Sequence, residues 1–154
     1  MATTHDGTSL DQFKADVPPS NMPGRFAILK FHVDMAEVAA LLAATIDGSA
    51  GDILQLWDIP AGTHILSVLV NVTTAEGAAA TITIGDGDAA AGWLASMSIN
   101  ALAQKMTLIS DANMLTGGKT YNTTDTLDIT FGVAADIDLA VFDVYVACIM
   151  YAVE

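Results

Sequence analysis

The sequence predicts an all-β protein: an antiparallel β-sandwich of about eight strands, with jelly-roll wiring and an extended N-terminal arm. Three observations carry that expectation. Short apolar runs alternate with the period of a strand, turn residues punctuate them at short intervals, and the closing segment is apolar at both parities. With 154 residues the chain suits one domain, expected over residues 25–154 and preceded by an arm over 1–24. A compact chain of that length buries roughly 70% of the area its unfolded form exposes, enough for a real core.

The arm contains Pro18, Pro19 and Pro23 and shows little periodicity. Leu10, Phe13 and Val17 nevertheless fall at helical spacing after Ser9, which with Gln12 would form a capping box. These three apolar residues are candidate contacts for a neighbouring subunit, because an extended terminus gains contacts only when something receives it. A frayed tail is the competing reading.

From Arg25 the pattern becomes strand-like through Phe26, Ile28, Phe31 and Val33, with a slip of phase between Ile28 and Phe31. Residues 35–46 have the alanine content of a helix, and Asp34 ahead of Glu37 offers a cap. Val38, Ala40, Leu42 and Ala44 also alternate as a strand would, and the helix is favoured. Asp52–Ile59 and His64–Thr73 flank a Pro60-Ala61-Gly62-Thr63 turn and are expected to pair antiparallel.

After Thr74-Ala75-Glu76-Gly77, the run Ala80–Ile84 alternates Thr and Ile, giving one core face and one hydroxyl face. A loop with Asp86, Gly87, Asp88 and Gly92 leads to Trp93 and Leu94. Strands are expected near Lys105–Ile109 and over Asp125–Phe131, the latter with Leu127, Ile129 and Phe131 inward. Leu139–Val153 closes the domain as a central strand buried on two sides, or as one whose outer face meets a neighbour. Tyr145 and Tyr151 on it are candidate interface residues.

Composition restricts function. Lys and Arg total 5 against 18 Asp and Glu, for a formal charge of −13. Nucleic-acid binding needs Lys and Arg gathered on one face, and the five basic residues are scattered in sequence, so no nucleic-acid partner is expected. An anionic membrane surface is disfavoured on the same ground. Only 15% of residues are charged while 53% are hydrophobic, which leaves an outer surface of small polar and apolar side chains suited to contacts between subunits. The first residues lack a basic region followed by an apolar one, so no secretory signal is expected, and no stretch has the length and apolarity of a membrane helix.

Chemistry-bearing motifs are few. His5, His32 and His64 share no metal-ligand spacing, and no Gly-x-Ser-x-Gly elbow occurs, so neither a zinc site nor acyl transfer is expected, and no cofactor. Cys148, the lone cysteine, reads as a buried small hydrophobe. Asp86 and Asp88 could place two carboxylates on a weakly held cation, although Asp and Gly also make tight turns for local reasons. Paired carboxylates elsewhere raise the question of glycoside hydrolysis, but nothing sets their separation, and aromatic platforms for sugar are few. Trp93 is a candidate interface anchor, with a cap over the open end of the sandwich as the alternative.

Several runs carry a resemblance: Leu56-Trp57-Asp58-Ile59-Pro60-Ala61-Gly62-Thr63, Val68 to Thr74, Ala75-Glu76-Gly77, Ile82-Thr83-Ile84-Gly85-Asp86-Gly87-Asp88 and Gly92-Trp93-Leu94. With the Tyr121-Asn122 to Thr130 stretch and the closing strand, they resemble small structural proteins of tailed bacteriophages over about residues 50 to 153. Within that group the chain is most similar to head decoration, or cement, proteins. The resemblance implies a non-enzymatic virion protein, made in the host cytoplasm and placed on the outer capsid surface. Its implied partner is the major capsid protein, and a homotrimer is favoured. A head-fibre, spike or tail component and a carbohydrate-binding module are the alternatives.

Overall fold

The computed structural model describes residues 1–8, 24–108, 111–133 and 136–151. Its strands are β1 (Thr4–Asp6), β2 (Arg25–Asp34), β3 (Ile53–Ile59), β4 (Thr63–Thr74), β5 (Thr81–Gly85), β6 (Leu94–Ser98), β7 (Gln104–Met106), β8 (Lys119–Tyr121), β9 (Asp125–Gly132) and β10 (Val141–Met150). Among the described residues a helix, α1 (Met35–Leu42), follows β2, and a 3-10 turn spans Met114–Thr116. The strands form two sheets of five in a sandwich-like arrangement. Sheet A runs β1-β3-β9-β5-β6, and sheet B runs β2-β10-β4-β7 with β8 also paired to β4.

Alternating apolar residues fill the space between the sheets. Leu29, Phe31 and Val33 from β2 and Phe142, Val144 and Val146 from β10 are buried on one side. Leu54, Leu56, Ile82, Ile84, Leu127, Ile129 and Phe131 are buried on the other. Phe31 and Trp57 meet at 5.9 Å between ring centroids. Cys148 lies in this core, where burial pushes its thiol up to about 11, as a small hydrophobe would sit.

The helix forms where Asp34 can cap it: the carboxylate accepts from the Ala36 and Glu37 amides at 3.0 and 3.3 Å. It ends at Leu42, sooner than residue 46, because Ala43 turns into the left-handed region at φ 49°. The fold is therefore mostly β, with a helical insertion after its first long strand.

Four expectations need correction. The sheets are not purely antiparallel, since β1 pairs parallel with β3, Thr4 against Ile53 and Asp6 against Gln55. The runs on either side of Pro60 do not pair with each other: β3 belongs to sheet A and β4 to sheet B. Their connection is a corner between sheets, held from outside by Gly62 N donating to Tyr121 O at 2.7 Å and Tyr151 N donating to Gly62 O at 3.0 Å. In β2 the buried parity is Ala27, Leu29, Phe31 and Val33, so Phe26 and Ile28 face outward and pairing with β10 runs without a slip. Finally, β6 and β8 are strands that the sequence reading passed over as loop.

The closing strand lies centrally in sheet B, between β2 and β4, over Val141–Met150. One parity enters the core and the other forms the outer face, which accounts for its apolar character at both.

Candidate assembly face and the acidic loop cluster

The outer face of sheet B has four central cross-strand rows, and a fifth at the helix end sets Asp34 beside Val141 and Thr74. Phe26 lies beside Ile149 and His64, Ile28 beside Ala147 and Ser67, Lys30 beside Tyr145, Leu69 and Met106, and His32 beside Asp143, Asn71 and Gln104. Phe26 is 56% exposed and Ile28 63%, although both lie in a strand interior where the opposite parity is fully packed. A shallow depression of about 420 Å³ opens at the centre, lined by Ile28, Leu69, Tyr145 and Ala147 among others.

Asp34 in the fifth row caps the helix, and across the other four, in a chain of charge −13, the only carboxylate is Asp143. It is largely buried and doubly paired: His32 Nδ1 lies 2.8 Å from Oδ1, and Lys30 Nζ donates to Oδ2 at 2.9 Å. Burial alone would raise this carboxyl, but the contacts with His32 and Lys30 outweigh it and hold it below the usual range. The Lys30 ammonium also lies 5.7 Å from the Tyr145 ring centroid. The centre of the face therefore presents apolar and aromatic surface with its one negative charge neutralised, as the buried centre of an interface requires.

The outer face of sheet A is polar by contrast. Gln55, Thr83, Thr126, Asp128 and Thr130 point that way, and Asp128 Oδ1 and Thr130 Oγ1 are buried atoms without a hydrogen-bond partner. Burial, reinforced by the Asp125 and Asp86 charges, pushes the Asp128 carboxyl above its ordinary value.

At the edge of this sheet lies the Gly85–Asp88 loop. Asp86, Asp88 and Asp125 converge closely enough to suggest a cation site. The position between them is filled by Lys119, whose Nζ donates to Asp86 Oδ2 at 3.0 Å and Asp88 Oδ2 at 2.8 Å and lies 4.0 Å from Asp125. Asp86 Oδ2 also accepts from the Tyr121 hydroxyl at 2.6 Å and Asn113 Nδ2 at 3.1 Å, while Oδ1 accepts from the Asp88 and Ala89 amides. Desolvation would raise this carboxyl, yet the Tyr121 and Lys119 contacts overcome it and lower it. The Tyr121 hydroxyl is driven upward by burial and by donating to Asp86.

Trp93 completes the cluster. It is wholly buried and its Nε1 donates to the Tyr121 hydroxyl at 3.0 Å. Trp93 is thus a core residue in this fold. The loop approaches itself closely at Gly85, where a Cβ would collide with the Ala89 carbonyl. The group is a lysine-centred lock that ties the β5–β6 loop to β8, with the ammonium standing where a metal ion would have been expected.

The other candidate interface residues are placed as follows. Tyr145 lies half-buried within the sheet-B outer face, its hydroxyl 3.4 Å from Asp143 Oδ2. Tyr151, just past β10, is 49% exposed. Leu10, Phe13 and Val17 lie outside the described residues. Both tryptophans are buried, so neither offers a platform to a sugar. Sequence reasoning missed Lys119, Tyr121 and Asn113 as partners of Asp86, since they lie some thirty positions away with no local spacing to announce them. Lys119 carried one signal, as a rare cation set just after Gly117-Gly118.

No family model matches the sequence, and no curated protein matches it. Solved structures of similar fold include chains from phage capsids. A chain in the capsid of Ralstonia phage GP4 aligns with TM-score 0.59 at 12% identity, covering 94% of this chain and 97% of that one. A chain in the capsid asymmetric unit of cyanophage Pam1 gives 0.58 at 14%, covering 94% and 98%. A chain in the acidic stable capsid structure of Helicobacter pylori bacteriophage KHP30 gives 0.54 at 11%, covering 86% and 92%. At these identities the likeness is one of fold, and this chain is built on the same fold, nearly end to end, as chains found in three phage capsids.

Proposed function

We propose that this chain is a non-enzymatic structural protein of a phage head that binds the outside of the capsid and stabilises contacts between major capsid protein subunits. The observation that carries this reading is the nearly reciprocal coverage of the capsid chains, 94% against 97% and 94% against 98%. Those chains are of nearly the same length as this one. The strand orders β2-β10-β4-β7 and β3-β9-β5-β6, with most successive strands crossing between sheets, support jelly-roll wiring.

In this reading the apolar outer face of sheet B is the surface buried in the assembly, against the major capsid protein or within a homotrimer. The polar, acidic outer face of sheet A is turned to solvent, where a charge of one sign keeps particles apart. Each copy that binds the assembled shell and not its free subunits stabilises the shell by mass action, and symmetry repeats the gain over many sites. Residues 1–24 serve as an arm to the body formed by residues 25–154.

The test is addition of purified protein to capsids assembled without it. Saturable decoration at lattice positions and a higher shell melting temperature are expected. A chain that leaves such shells bare yet forms a tight oligomer belongs instead to a fibre, spike or tail.

A further inference from the structure

We propose that the outer edge of β3 is a strand-acceptor groove and that residues 3–7 exchange into it between copies of this chain. The strand that fills the groove within one chain, β1, is attached in an unusual way. Among the described pairings it alone is parallel, and it contributes no side chain to the core. Its hold is main-chain pairing, with Ile53 N donating to Thr3 O at 2.8 Å and Gly7 N to Gln55 O at 3.0 Å, joined to one carboxylate.

That carboxylate is Asp52, which is 3% exposed. It accepts from Thr3 N at 2.7 Å and from its own loop through Asp47 N at 2.9 Å, and His5 Nε2 lies 3.3 Å away. Burial works to raise it, and the Asp47, Thr3 and His5 contacts overcome that and lower it. Without β1, Asp52 would be left with a single donor and β3 with a bare edge, both unfavourable. The groove therefore needs an occupant, and it reads an extended backbone bearing a histidine between two small or polar residues.

Nothing in those contacts distinguishes a chain's own segment from the same segment of a neighbour; only the tether does. From Thr8 at the edge of sheet A to Gly24 at the start of β2, the edge strand of sheet B, the connection can reach at most about 55 Å. The docked contacts are the same within and between copies, so local concentration decides between them, and crowding of copies raises the share of exchange. This goes beyond the capsid reading and is tested on purified protein alone, so its failure would leave the shell-binding test standing.

The experiment is register-specific trapping between full-length chains. A Thr4→Cys chain is mixed with an Ile53→Cys chain under mild oxidation, with Asp58→Cys replacing Ile53→Cys as an off-register control. Thr4 and Ile53 are paired residues, whereas Asp58 lies at the far end of β3. The mixed disulfide should form at least about tenfold more for the in-register pair, corresponding to about 1.4 kcal/mol of selectivity. Its yield should rise with protein concentration and fall when a synthetic peptide of residues 1–8 is added in excess. If Ile53→Cys fails to fold by its melting curve, Asp6→Cys with Gln55→Cys supplies a second in-register pair. A mixed yield equal to the off-register control at every concentration, or one that the peptide does not lower, would overturn the proposal.

Discussion

Replacing Asp86 with alanine should destabilise the protein severely, and the size can be worked from its contacts. The Tyr121 hydroxyl, in a residue only 3% exposed, loses its acceptor at 2.6 Å; an unpaired buried donor costs about 1–3 kcal/mol. Lys119 keeps Asp88 and is partly in water, so its share is about 0–1 kcal/mol. The Asn113 amide and the loop amides of Asp88 and Ala89 lose a common acceptor, worth about 1 kcal/mol more because the loop can partly rehydrate. The sum, about 2–5 kcal/mol, overlaps the roughly 3–5 kcal/mol that removal of one partner of a buried ion pair costs. For a domain of this length that lowers Tm by about 4–20 °C. Thermal unfolding followed by tryptophan fluorescence reads it directly, because Trp93 Nε1 donates to the same Tyr121 hydroxyl. Combining Asp86→Ala with Tyr121→Phe should cost less than the two separate losses together, with a coupling of about 1–2 kcal/mol. A fall of less than about 3 °C for Asp86→Ala would refute the reasoning that this cluster is a structural lock.

Asp128→Asn should raise Tm at pH 7, because a carboxyl whose folded pKa is raised penalises folding while it is ionised; the gain should vanish below about pH 4, where the unfolded chain is also protonated. Asp52, Asp86 and Asp143 behave oppositely: their folded values are lowered, so their contribution is complete above about pH 4 and is lost as pH falls through those lower values. A plot of Tm against pH should therefore stay flat near neutrality and drop in acid, and a Tm that climbs on acidification would contradict the assigned contacts. Calcium should leave the wild-type Tm unchanged, whereas Lys119→Met, which frees three converging carboxylates, should gain several degrees with millimolar calcium in a melting assay. Ile28→Lys, at an exposed site, should change monomer stability by less than about 0.5 kcal/mol while abolishing self-association or shell binding in sedimentation.

Strands whose two parities differ in chemistry were legible from sequence. Thr81–Ile84 and Asp125–Phe131 place Ile82, Ile84, Leu127, Ile129 and Phe131 in the core as their alternation implied. β2 was misread because Phe26 and Ile28 are as apolar as the residues they alternate with, and hydropathy cannot choose between two apolar faces. That failure has content, since the ambiguity arises where an outer face is apolar, and the same holds for Tyr145, Ala147 and Ile149 on β10. The Pro60–Thr63 turn looked like a hairpin because turn chemistry fixes a reversal locally, while the choice of sheet depends on Tyr121 and Tyr151, far along the chain. β1 and β8, three residues each, carry too few side chains for periodicity to register, and their pairing partners lie about fifty positions away.

The acidic loop shows the same division. Asp86 and Asp88 could be seen to converge, because they share one turn. What they converge on is set by β8, and no spacing rule joins residue 86 to residue 119. The candidate assembly face likewise existed in the sequence only as an excess of apolar residues, which became a surface once the register of β2, β10 and β4 aligned them.

The most direct test of the central claim is electron cryo-microscopy of capsids assembled without this chain, imaged before and after adding the wild-type protein or Ile28→Lys. The account predicts added density at repeating sites on the outer surface for the wild type, with the sheet carrying Phe26, Ile28 and Tyr145 turned toward its partner, and bare shells for the variant. Equal decoration by both proteins would contradict the assigned face, and no decoration by either would contradict the capsid role itself.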